Sequence, residues 1–129
     1  MIKRVYYVHV MRKDEENLQI LIVDYLRKER PELTFWHTNN NAGFGNVRAG
    51  KKAKRLGVLP GVPDLFFPIS NNVHHGLFIE LKSAKGRLSP VQKQLKDKLC
   101  ESGYLVKIAR SFEETLTILG EYCDHGRSD

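Results

Sequence analysis

Two carboxylates and a lysine stand at a spacing that suits phosphate chemistry. Asp64 follows the turn Leu59-Pro60-Gly61-Val62-Pro63, and Glu80 and Lys82 lie two positions apart in Gly76-Leu77-Phe78-Ile79-Glu80-Leu81-Lys82. Side chains two apart on a strand share a face, so Glu80 and Lys82 point the same way, and a short turn between the strands would bring Asp64 alongside. Paired carboxylates beside an ammonium suit a hard divalent cation such as Mg²⁺, which prefers oxygen ligands and keeps waters that a phosphate can replace. Such a cation offsets the repulsion that would otherwise raise one carboxyl pKa, and Lys82 would orient or help deprotonate the attacking water. The ordinary reading of a Glu-x-Lys pair is a solvated surface ion pair. Against it, Leu77, Phe78, Ile79 and Leu81 form an apolar run where an exposed pair would alternate more regularly. Glu15 is the candidate third acid, since Glu15, Gln19 and Ile22 share one side of a helix facing the sheet; Glu16 is its rival, and either acid is also explained by the helix dipole. Gln92 could reach back to the acids or to a phosphate, or be simply solvated.

The elements that must hold these residues can be read along the chain. Lys3 to Val10 is β-branched and aromatic and predicts a strand. From Asp14, the spacing of Leu18, Leu21, Ile22, Tyr25 and Leu26 predicts a helix that Pro31 stops. Leu33 to His37 predicts a short strand, Asn39 to Gly45 a loop, and Val47 to Leu56 a basic helix. Asp64 to Ile69, apolar on both faces, predicts an internal strand, and Gly76 to Lys82 its neighbour. Ser89-Pro90 marks the N-cap and first position of a helix ending at Gly103. Tyr104 to Ala109 predicts a strand, and Ser111-Phe112-Glu113-Glu114 a capping box for a last helix to about Tyr122. The order predicts an α/β sheet with helices packed against it. The chain of 129 residues reads as one domain, with residues 1–13 an N-terminal strand or arm and 124–129 a frayed tail.

Charge identifies the partner class. The chain carries a net charge of +6. Between Leu33 and Lys96 lie ten basic residues, including Arg48, Lys51, Lys52, Lys54, Arg55, Lys85 and Arg87, against two acids, Asp64 and Glu80. Such a surface suits a polyanion, because Lys and Arg that neutralise phosphates release counterions; the alternative is a basic face that merely aids solubility. No apolar run approaches the roughly 18 residues of a membrane span, and the start lacks a secretory leader. Cys100 and Cys123 form no metal spacing, so the expected location is the cytoplasm of a bacterial or virus-infected cell.

Gly61-Val62-Pro63-Asp64-Leu65, Phe78-Ile79-Glu80-Leu81-Lys82 and Ser89-Pro90-Val91-Gln92 together resemble the PD-(D/E)XK nuclease pattern in the form used by the VRR-NUC family. The likeness runs from Glu15-Glu16-Asn17-Leu18-Gln19 to Arg110-Ser111-Phe112-Glu113-Glu114. It implies a restriction-endonuclease-like fold, a central mixed β-sheet flanked by helices, and Mg²⁺- or Mn²⁺-dependent hydrolysis of phosphodiesters. By that resemblance Asp64 and Glu80 bind metal, Lys82 acts on the water, and Glu15 assists through the metal or its waters. His37-Thr38-Asn39-Asn40-Asn41 occupies the family's Asn-containing loop, without its frequent Pro before Asn-Gly. The chain is similar to stand-alone members, some of which act as dimers on branched DNA.

The expectation is therefore a DNA endonuclease selective for branched DNA such as Holliday junctions, with Glu15, Asp64, Glu80, Lys82 and Gln92 at its site and the basic segments on the DNA backbone. A homodimer would put two active sites on a junction at once, with Val5 to Val10 as a candidate interface. The alternative is a nucleic-acid-binding protein that keeps the fold without turnover. Gly45-Asn46-Val47-Arg48-Ala49-Gly50-Lys51-Lys52 fits Gly-x4-Gly-Lys, but Lys52 stands where a P-loop needs Ser or Thr, so no nucleotide cofactor is expected. His74-His75 reads as part of a turn, since adjacent histidines on a strand face opposite ways.

Overall fold

The computed structural model describes residues 15–38 and 47–124. The N-terminal strand expected over Lys3 to Val10, the loop at 39–46 and the tail after Asp124 lie outside the described residues.

Helix α1 (Glu15–Glu29) buries Leu18, Leu21, Ile22 and Leu26, the three- and four-residue spacing of one face, with acids in its first turn and Arg27 and Lys28 in its last. Strand β1 is only Trp36–His37, shorter than the pattern predicts; Leu33 and Phe35 lean on the core from irregular backbone. Helix α2 (Val47–Arg55) buries Ala53 alone. Strands β2 (Leu65–Phe67) and β3 (Leu77–Leu81) are apolar and mostly buried, as internal strands must be. Their connection, residues 68–76, is longer than the short turn expected: Pro68 lacks a donor for the ladder, and the Asn71 side chain accepts the amides of Val73 and His74 to turn the chain. Helix α3 (Pro90–Glu101) starts at a reciprocal capping box between Ser89 and Gln92 and stops two residues before Gly103. Strand β4 (Leu105–Ala109) and helix α4 (Phe112–Asp124) complete the chain, the Glu114 amide capped by the Ser111 hydroxyl at 3.0 Å.

The sheet runs β1-β2-β3-β4. The first two pairings are antiparallel and β3 with β4 is parallel, so the sheet is mixed, and α3 lies in the crossover between the parallel strands. Helices α1 and α4 bury one face of it, with Leu18, Ile22 and Leu26 meeting Leu65, Phe67, Leu77, Ile79, Leu81, Ala109, Phe112 and Leu119. Phe112 meets the edge of Tyr25 at 5.1 Å and ties the two helices; burying a side chain of that kind contributes about 1.5–3 kcal/mol. Alternation sends Phe66, Phe78 and Glu80 to the other face, where the Phe66 and Phe78 rings lie 4.4 Å apart. The pairing of Leu65 with Ile79, continued by one step, sets Asp64 across from Glu80.

Candidate active site

The acids meet because β2 and β3 are hydrogen-bonded neighbours. Gly61, at φ 90° in the turn before Asp64, takes a backbone conformation that other residues reach only with strain, and a Cβ there would lie 2.8 Å from Val91 Cγ1. The chain then enters β2 with Asp64 Oδ2 accepting the Leu81 amide at 2.8 Å. Glu80 and Lys82 share the face expected of them, Lys82 Nζ lying 2.9 Å from Glu80 Oε2. They are not a solvated pair: Glu80 is 4% exposed and Lys82 8%. Gln92 Nε2 donates to the same Oε2 at 3.1 Å, while its Oε1 accepts the Ser89 amide at 2.8 Å. Its side chain is thus fixed at both ends.

Burial pushes the Glu80 carboxyl up to about 7, with the neighbouring Asp64 charge adding to the effect and Lys82 opposing it. Asp64 is raised as well, chiefly by burial, against the lowering effect of the Leu81 amide. Glu80 Oε1 is buried with no hydrogen-bond partner among the described residues. A buried carboxylate oxygen without a donor is costly, and a cation bound there would satisfy it. The available donors are carboxylate oxygens, the chemistry that Mg²⁺ or Mn²⁺ takes, so the residues fit such an ion.

Glu15 is held by the loop after Lys82. Its Oε1 accepts the Ser83 amide at 3.2 Å, and it lines, with Asp64, a groove of about 960 Å³ between α1 and β1. Among the described residues no three His, Cys, Asp or Glu side chains are grouped so as to hold a metal ion. Glu16 also lines the groove but is the more exposed of the two. Arg48, Lys51, Lys52, Lys54 and Arg55 lie on α2, and Lys85 and Arg87 lie on the loop between Lys82 and α3, all with side chains open to solvent. Gly50 and Lys51 sit inside α2 rather than in a loop before a helix, where a P-loop would place them. His74 and His75 diverge, one ring towards Tyr122 and the other towards Tyr104.

Three residues at the site carry no motif of their own. His37 Nδ1 donates to the Asp64 carbonyl at 2.8 Å, and the Thr38 hydroxyl donates to the Pro63 carbonyl at 2.6 Å, tying β1 to the turn that delivers Asp64. Ser83 supplies the amide that holds Glu15. In the sequence, Ser83 is marked only by following Lys82, and His37 and Thr38 only by opening the stretch that occupies the family's Asn-containing loop.

The VRR-NUC domain model matches residues 11–113. The chain belongs to the VRR-NUC family. A solved structure titled "VRR_NUC domain protein" superposes with a TM-score of 0.72 over 91% of this chain and 93% of that one, at 23% identity, which establishes the shared fold. No curated protein sequence matches the chain. VRR-NUC is a nuclease-fold family, and Asp64, Glu80, Lys82 and Gln92 lie within the matched span. No helix among the described residues is long and apolar enough to cross a membrane.

The raised Glu80 carboxyl sets a pH dependence of stability. The folded, metal-free protein keeps a proton that the unfolded chain releases near pH 4.5, so this contribution is complete below that pH and is lost as pH rises through about 7. Thermal unfolding in chelator from pH 5 to 8 should show the decline, and Glu80→Gln should flatten it. Parallel declines in the two proteins would refute the assignment to Glu80.

Proposed function

We propose that the protein is a deoxyribonuclease that depends on Mg²⁺ or Mn²⁺ and hydrolyses phosphodiester bonds. The observation that carries this reading is the buried pair Asp64 and Glu80, with an unpartnered Glu80 oxygen and the Lys82 ammonium 2.9 Å from the other. Asp64 and Glu80 would hold the ion. When bound, such an ion supplies Lewis-acid stabilisation of charge on the phosphate and lowers the pKa of water. Lys82 holds its ammonium where it orients the attacking water. Gln92 keeps Glu80 turned towards the site through its own fixed amide. Glu15, which lines the groove together with Asp64, orders water or the reacting phosphate through the metal or its waters.

Asp64→Asn and Glu80→Gln should abolish cleavage while DNA binding persists or tightens, because each removes a metal-ligand charge without touching the basic surface. Lys82→Met should retain metal binding and lose at least about 10²-fold in turnover, the scale of proton-transfer catalysis. Glu15→Gln should be more damaging than Glu16→Gln. Plasmid and oligonucleotide cleavage with Mg²⁺, Mn²⁺ or chelator measures the activity of all five variants; an active Glu80→Gln enzyme would reject the reading.

The basic residues of α2 and the 83–88 loop contact the DNA backbone in this reading. Single replacement of Arg48, Lys51, Lys52, Lys54 or Arg55 by Ala should weaken binding uniformly across sequences and reduce the salt dependence by about one unit of log–log slope for each phosphate left without its cation. Fluorescence anisotropy across a salt series checks this, and unchanged slopes would place α2 away from DNA.

The substrate we infer is branched DNA cut by a homodimer. Backbone contacts read shape rather than base identity, and a two-fold dimer presents two sites to the two symmetric strands of a junction. Cleavage of a panel of junctions, flaps and linear duplexes, with sedimentation of the free protein at micromolar concentration, tests both. Preferred cutting of junctions by a species of dimer mass is expected; a monomer with no preference for branched over linear DNA would overturn this part.

A further inference from the structure

We propose that Arg110 is a positioning residue for the reaction inferred above, acting by closing the turn that seats Glu15 and Lys82. Arg110 leaves the end of β4, and its Nη1 donates to two carbonyls of the loop after Lys82, Ser83 O at 2.8 Å and Gly86 O at 2.6 Å. The Gly86 amide donates to the same Ser83 carbonyl at 3.1 Å, so one guanidinium nitrogen closes a turn whose own hydrogen bond is already in place. That turn touches the site twice. The Ser83 amide holds Glu15 Oε1, and the open side of Gly86 faces Glu15 and Lys82: a Cβ there would stand 3.1 Å from Ser83 Oγ, 3.2 Å from Glu15 Oε1 and 3.4 Å from Lys82 Cδ. Arg110 therefore links the end of β4 to the loop after β3 and, through that loop, to the start of α1. The planar guanidinium suits the task because its donors point in fixed directions.

An arginine beside a phosphodiester site has an obvious competing role as a phosphate ligand. Nη1 spends both of its N–H donors on backbone carbonyls at short distances, which commits that side of the guanidinium to the turn, and the kinetic test decides what Nε and Nη2 do. The two roles separate kinetically. A phosphate ligand affects KM and the salt slope, whereas a positioning residue affects kcat, because displacement of reacting groups by about 1 Å costs about 10²-fold.

The proposal rests on the nuclease reading, and its test includes a measurement independent of cleavage. In metal-free protein, Arg110→Ala should speed hydrogen exchange at the Ser83 and Gly86 amides, with core amides of β3 unchanged and Arg110→Lys intermediate. In cleavage assays, Arg110→Ala should lower kcat about 10²-fold with KM and salt slope retained. The loss should shrink in a Glu15→Gln background, because the two residues act through one another. Gly86→Ala, with Arg110 intact, should reproduce the kcat defect by pushing on Glu15 and Lys82. Unchanged exchange at Ser83 and Gly86 would overturn the proposal, as would a defect confined to KM with the salt slope reduced by about one. Should the wild-type protein cut no DNA with either metal, the nuclease reading falls, and the exchange measurement alone still decides whether Arg110 holds the turn.

Discussion

Two carboxyl groups side by side in a mostly buried position are the constraint around which the rest of the molecule is arranged. Left alone, Asp64 and Glu80 would repel each other and lose hydration, and the upward push on both carboxyls reflects that cost. The fold withstands it by surrounding the pair with donors. The Leu81 amide serves Asp64, and Lys82 and Gln92 both serve Glu80 Oε2. These donors come from β3, from the residue just past it, and from α3. One buried oxygen, Glu80 Oε1, has no donor among the described residues. The strain is concentrated where the proposed cation would relieve it, a common way for a functional site to hold a locally unfavourable arrangement.

The hydrophobic core makes that arrangement rigid. Leu77, Ile79 and Leu81 alternate with Phe78 and Glu80 along β3, and the alternating set is fully buried beneath α1 and α4. Slipping the register by one residue would send Glu80 into the core and Ile79 to the site, so the apolar face that stabilises the sheet also fixes the direction of the carboxylate. The same pairing that joins Leu65 to Ile79 places Asp64 opposite Glu80. Packing and chemistry are specified by one periodicity, read on its two faces.

Much of this was legible in the residues. The helical spacing of Leu18, Ile22 and Leu26, the Ser89-Pro90 start of α3 and the shared face of Glu80 and Lys82 follow from local rules, and the structure has them as read. Other features were not legible because they depend on distant partners. Leu33 to His37 reads as a strand, yet only Trp36 and His37 pair, with Phe66 and Leu65 of β2. The 68–76 connection reads as a short turn, but Pro68 ends the ladder early and an Asn71 turn follows. Glu15 shares a groove with Asp64 as the helical spacing suggests, while its bond to the Ser83 amide depends on the loop's three-dimensional path. The hydrogen bond from Arg110 to that loop spans 27 residues to Ser83 and has no local signature.

Gln92 shows how the local and distant levels join. At the first turn of α3 its carboxamide oxygen completes a capping box with Ser89, a local arrangement between residues three apart. Its other end reaches Glu80, twelve residues away in sequence and on a different element. Because capping consumes the oxygen, only the amide nitrogen can face the site, so the helix start presents a donor and never an acceptor to the carboxylate. Glutamate in that position would also cap the helix, but it would set a third negative charge against Glu80 where the buried pair is already held against repulsion. The helix start tolerates either residue; the site accepts only the amide.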